Sequence, residues 1–129
     1  MTSTKTRVNK VATVIVPVAD VDRAIEFYVD KLGLEKRQDT PYGEGSRWVE
    51  VAPPGADTTV ALVPPMEGRP TGIDTNMSFL TDDIESDHVE LRARAVDADE
   101  EIMRMGDPVP PMFFVRDPDG NRFLIVQRD

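Results

Sequence analysis

The sequence predicts an α+β fold. Two βαβββ modules form a curved, mainly antiparallel sheet around a cavity, with the helices on the outer face. Two observations carry this. Short apolar-alternating runs, bounded by Pro, Gly and Asp clusters, surround two amphipathic helical stripes. The order of these elements also repeats. Asp20-Val21 and Asp83-Ile84 open equivalent helices at a shift of 63 residues, the signature of a duplicated supersecondary module.

The elements follow in order. In VATVIVPVAD, Val14, Val16 and Val18 alternate with Thr13, Ile15 and Pro17, which reads as a strand with its valines on one face. Asp20 suits an N-cap and Asp22 the first turn of a helix. Val21, Ala24, Ile25, Tyr28 and Leu32 share one stripe of that helix, and Gly33 closes it. LEKRQDT, SRWVEVA and TTVALVP are strand candidates separated by PYGEG and PPGAD. The second round begins with the strand NMSFLTDD. A helix follows with Ile84, His88, Leu91 and Ala95 along one stripe, then strand candidates VDADEEI, PMFFVR and NRFLIVQ. A length of 129 residues suits one domain over 1–129: module one at about 11–64, a linker at 65–74, and module two at about 75–127.

Composition excludes several function classes. The chain has no cysteine, which removes disulfides, thiolate nucleophiles and cysteine metal sites. A net charge of −9 repels nucleic-acid phosphates and favours solubility or the attraction of cationic ligands. The polar start MTSTKTRVNK lacks the apolar run of a secretory signal, and no segment approaches a membrane span. The expectation is a cytoplasmic protein with a frayed N-terminus, no nucleic-acid partner and no membrane partner. No Gly-rich phosphate loop, nucleophile elbow or metalloprotease helix is present. The acidic clusters fall at caps, turns and an expected edge strand, where carboxylates are ordinary.

VPVADVDRAIEFYVDKLGLEKR and VRDPDGNRFLIVQ resemble the vicinal oxygen chelate superfamily. That superfamily contains glyoxalase I, bleomycin-resistance proteins, fosfomycin-resistance enzymes and extradiol dioxygenases. The likeness spans about residues 11–127. FYVDKLGL and DPDGN are structural signatures and specify no activity; Gly120 supplies the turn's positive φ. The resemblance implies a divalent metal held by residues on a strand of each module's start and a later strand of each. Carried over, these positions are Thr13, Glu50, Asn76 and Leu124, of which only Glu50 is a strong ligand and Leu124 is none. Zinc, iron and nickel favour imidazole, thiolate and several carboxylates. The single histidine, His88, falls on the second helix, as a packing or surface residue. The expectation is therefore no metal and no cofactor.

Strand alternation then sorts the cavity wall. Thr13 brings Ile15, Glu50 brings Trp48, and Asn76 brings Ser78 and Leu80. The resemblance puts Met112 and Phe114 inside, whereas a simple hairpin count chooses Phe113. The candidate ligand-binding residues are Thr13, Ile15, Trp48, Glu50, Asn76, Met112, Phe114 and Leu124. Trp48 suits either a ligand's flat face or core packing. Glu50 suits either a ligand contact or a salt bridge with Arg47, Arg116 or Arg122. The leading reading is a metal-free protein that sequesters a small apolar aromatic or cationic compound such as an antibiotic. The alternative is a lyase, isomerase or dioxygenase-like enzyme of the same superfamily, with unrecognised metal ligands or with Glu50 as general base. The resemblance also implies a homodimer.

Overall fold

Valines on alternate positions and two helical stripes meet in one core that both modules share. The computed structural model describes residues 5–129. Module one contains β1 (Thr13–Pro17), α1 (Val21–Ile25), β2 (Glu35–Tyr42), β3 (Ser46–Ala52) and β4 (Thr59–Val63). Module two contains β5 (Asp74–Thr81), α2 (Ile84–Ala93), β6 (Asp97–Ala98), β7 (Met112–Arg116) and β8 (Arg122–Gln127). The expected sheet is built as two four-stranded sheets, ordered β1-β4-β3-β2 and β5-β8-β7-β6. In each, the first strand of the module lies parallel to the last, and the remaining pairs are antiparallel. Of the polar N-terminal start, residues 1–4 lie outside the described residues, and 5–12 are exposed without regular structure.

The helices begin as the sequence requires. Asp20 and Asp83 accept from the backbone N–H groups of Arg23 and Ser86, both at 3.1 Å, satisfying donors that the first turn leaves free. After Ile25 the first helix widens into a π-helical segment, Glu26–Lys31. Within this segment the adjacent Phe27 and Tyr28 are both buried. Gly33 closes the helix at φ 90. In the second helix, Ala95 leaves the expected stripe: α2 stops at Ala93, and Ala95 is an exposed C-terminal turn residue at φ 60.

The core joins both modules. Val16, Val49, Val51, Val60 and Leu62 from sheet one pack with Phe113, Val115, Phe123 and Ile125 from sheet two, beneath α1 and α2. Phe123 meets Phe27, Tyr28 and Phe79 at ring-centroid distances of 6.4, 6.0 and 5.3 Å. These aromatic contacts tie the first helix to the last strand.

The strand expected at VDADEEI contracts to the two residues of β6. The cause is local competition for backbone groups. His88 Nε2 donates to the Asp99 carbonyl at 2.7 Å, so that carbonyl is turned away from β7. The Asp99 carboxylate accepts from Phe114 N–H at 3.0 Å in its place. His88 also packs edge-on against Phe113 at 4.9 Å. It is a packing residue, as its helix position implies.

Candidate functional site

Each sheet buries one face in the core and leaves the other partly open, and the candidate wall residues all fall on the second kind of face. On β7, Phe113 and Val115 are buried while Met112 and Phe114 are half-buried on the opposite side. Met112 and Phe114 thus share the open face, and Phe113 belongs to the core. On β8, Leu124 is half-buried between the buried Phe123 and Ile125.

On sheet one, three candidates and a fourth residue form a hydrogen-bonded cluster. Trp48 Nε1 donates to Glu50 Oε2 at 2.6 Å, and the Thr59 hydroxyl donates to Glu50 Oε1 at 2.7 Å. The Thr13 and Thr59 hydroxyls are 2.8 Å apart. Positions 48 and 50 share a face because a strand repeats every two residues, and Thr59 lies opposite Thr13 in the β1–β4 register. Each Glu50 oxygen keeps lone-pair capacity for a further donor. The arginine partners expected for Glu50 are engaged elsewhere: Arg47 with Asp39 and Asp22, Arg116 with Asp97 and Asp99, and Arg122 with Asp74. Trp48 is half-buried on the open face, outside the core cluster, and Tyr42 packs edge-on against it at 6.4 Å.

On sheet two, Asp74, Asn76, Met77, Phe114, Phe123 and Leu124 line a hollow of about 180 Å³. The Arg122 guanidinium lies over the Phe114 ring, 4.1 Å from its centroid. A stacked cation, itself paired with Asp74, thus stands on sheet two. Asn76 is exposed at φ 57, within an irregularity of the β5–β8 register between Asp74 and Ser78. Thr13, Ile15, Trp48, Glu50 and Met112 line none of this hollow. A second hollow of about 480 Å³ lies between the sheets, where Val14 and Thr59 of sheet one face Ser78 and Leu80 of sheet two.

The strand pairing also revises which positions correspond. Ile15 pairs with Ala61, which pairs with Glu50; Ser78 pairs with Leu124, which pairs with Phe114. The module-one counterpart of Leu124 is therefore Ala61, and Glu50 corresponds to Phe114, one strand aside. The signal was present in the sequence, since Ala61 and Leu124 stand 63 residues apart, like Asp20 and Asp83. Thr59 and Ala61 are the wall residues that sequence reasoning missed. A divalent metal does not fit this donor set: the two matching strand positions carry Ala61 and Leu124, and Thr13 and Asn76 offer neutral oxygen. Among the described residues, no three His, Cys, Asp or Glu side chains group closely enough to hold a metal ion. Also among the described residues, no helix is long and apolar enough to cross a membrane.

Comparison with known proteins places these observations. Residues 8–125 match the family model described as Glyoxalase/Bleomycin resistance protein/Dioxygenase superfamily. The chain is 32% identical to TnmS3, an antibiotic binding protein from Streptomyces sp. CB03234, covering 97% of this chain and 100% of that one with a TM-score of 0.85. A superfamily member from Sphaerobacter thermophilus DSM 20745 is 35% identical, over 94% of this chain and 98% of that one, with a TM-score of 0.86. The Bacillus subtilis protein YetH is 30% identical over 93% of this chain and 99% of its own length.

Proposed function

The chain belongs to the glyoxalase/bleomycin resistance protein/dioxygenase superfamily, and we propose that within it this protein binds and sequesters a small apolar aromatic or cationic compound, antibiotics included, without a resident metal. The observation that carries this reading is the Trp48–Glu50 pair. A flat indole and an oriented carboxylate stand side by side on an open sheet face, at 2.6 Å. The indole face attracts an aromatic or cationic group, and the remaining lone pairs of Glu50 accept a charged donor. Phe114 and Leu124 supply apolar contact on sheet two. The similarity to an antibiotic binding protein supports the same class of ligand.

In this reading the protein works as a homodimer. Thr59 of the Glu50 cluster shares a hollow of about 480 Å³ with Ser78 and Leu80 of sheet two, whereas Trp48 and Glu50 do not line it, and a second copy covers that open face to complete the cavity. Titration with planar aromatic cations such as proflavine, read by Trp48 fluorescence, tests the binding. Saturable quenching is expected, and its complete absence across a chemically varied set of cations would remove the proposal.

A second reading, an enzyme with Glu50 as general base, draws on the same anchored carboxylate. It requires turnover of a bound compound that Glu50→Gln abolishes while binding of a neutral analogue persists.

A further inference from the structure

We propose that the apolar hollow under the inter-module linker is a second binding site, taking a small apolar molecule that ends in a single anionic group. The hollow holds about 270 Å³, just under the roughly 300 Å³ at which drug-sized pockets begin, so it suits a compact ligand. Ile15, Pro17 and Val63 line it from sheet one, and Met66, Pro70 and Ile73 from the linker. Arg69 is the one charged side chain among its lining residues.

That arginine is the reason to name an anion. The chain carries 24 Asp and Glu against 15 Lys and Arg, and many of its arginines are paired with carboxylates. Arg69 has no ion pair or side-chain hydrogen bond among the described residues. A tight turn fixes its position: Arg69 N–H donates to the Met66 carbonyl at 2.7 Å, across Gly68 at φ 78. A guanidinium at the end of a hydrocarbon pocket binds a carboxylate through two parallel hydrogen bonds. Met66, 58% exposed, brings a flexible thioether that adapts to the ligand's shape. The hollow lies at the Pro17 end of β1, while the Glu50 cluster lies at the Thr13 end. A second copy of the chain would cover the apolar surface but would not call for a free guanidinium there.

The full chain, carrying ¹³C-methyl methionine with the Met66 signal assigned through Met66→Leu, would be titrated with octanoate, octan-1-ol and octylammonium. Octanoate should move the Met66 methyl signal saturably and bind at least tenfold tighter than the alcohol, with the amine weakest. Arg69→Gln should erase octanoate's advantage and leave octanol unchanged. Equal affinity for all three, or an octanoate preference that survives in Arg69→Gln, would overturn the proposal. So would a Met66 signal that follows protein concentration and ignores octanoate, which would identify a second copy as the occupant. The readout uses neither Trp48 nor an aromatic cation, so its result stands apart from that of the Trp48 titration.

Discussion

Tyr28 in the first helix donates its phenolic hydrogen to Asp117, in the turn between β7 and β8, at 2.8 Å inside the core. The two residues belong to the two sequence signatures, FYVDKLGL and DPDGN, which are thus opposite sides of one contact. Around it, Asn121 Nδ2 donates to the Pro17 carbonyl at 2.7 Å and to Asp117 at 3.0 Å, while its Oδ1 accepts from Gly72 and Ile73 N–H. Arg23 reaches Asp119 at 3.0 Å. The turn is a latch that holds β1, the first helix and the linker together.

Removing the Tyr28 hydroxyl should therefore weaken the whole fold. Tyr28→Phe keeps the ring packing and deprives a buried carboxylate of a donor, costing about 1.5 to 3 kcal/mol. Burial, reinforced by the Asp117 charge, raises the phenol well above its ordinary 10.0. The folded state then holds the proton at pH values where the unfolded chain has lost it, so stability falls as pH rises past 10. Tyr28's share is complete below that value and drains away above it. Urea midpoints measured from about pH 8 to 11 should show an alkaline decline that Tyr28→Phe flattens. A decline of equal steepness in both proteins would refute this role.

Asn121→Ala should be costlier. It strips partners from Gly72 N–H, Ile73 N–H and the Pro17 carbonyl at a position with 0% exposure. Several groups left unpaired at about 1 to 3 kcal/mol each predict a loss of roughly 3 to 5 kcal/mol. Equilibrium urea unfolding measures it, and a loss under about 1 kcal/mol would show that the latch is replaceable by water.

Glu50→Gln separates charge from shape at the proposed site. The amide oxygen must face Trp48, whose indole N–H only donates, which leaves the amide NH₂ toward the Thr59 hydroxyl. The cluster survives but its charge is gone. Cationic ligands should weaken by about 1.5 to 3 kcal/mol and neutral analogues should bind as before, by calorimetric titration. Equal loss for both kinds would show that the variant disturbs the wall itself.

Adjacent residues on β8 should answer truncation very differently. Phe123, 1% exposed among three aromatic neighbours, should lose about 3 to 5 kcal/mol as Phe123→Ala. Leu124 is half-buried on the open face, so Leu124→Ala should cost about 1 kcal/mol of stability while still weakening apolar ligands. Comparable destabilisation by the two would mean that the Leu124 face is covered in solution, as a tight dimer would cover it.

Alternation of valines was enough to orient β1, and capping chemistry was enough to place both helix starts at Asp20 and Asp83. Those signals are local, set by neighbours within a few residues. The π-helical segment was not legible, because adjacent apolar residues such as Phe27 and Tyr28 are buried in regular helices as well. The shortness of β6 depends on His88 reaching the Asp99 carbonyl from another element. Glu50 was assigned to the counterpart of Leu124 because it is the carboxylate on a neighbouring strand; the repeat spacing pointed instead to Ala61, whose side chain carries no chemistry to draw notice. The partners of Glu50 were likewise hidden, since arginines are easier to credit than a threonine hydroxyl on the adjacent strand.

The Asn121 carboxamide has a consequence for how such a duplicated chain can diverge. Its bonds reach β1, the linker and its own turn, so a substitution there must be answered by changes in the other copy of the module. The two halves are bound into one unit of inheritance at that point. The hydrogen bonds to Glu50, by contrast, come from Trp48 and Thr59 within sheet one. That face can exchange residues without consulting its sister module. Divergence is thereby channelled: the latch resists drift, and the open faces are where one ancestral scaffold acquires new ligands.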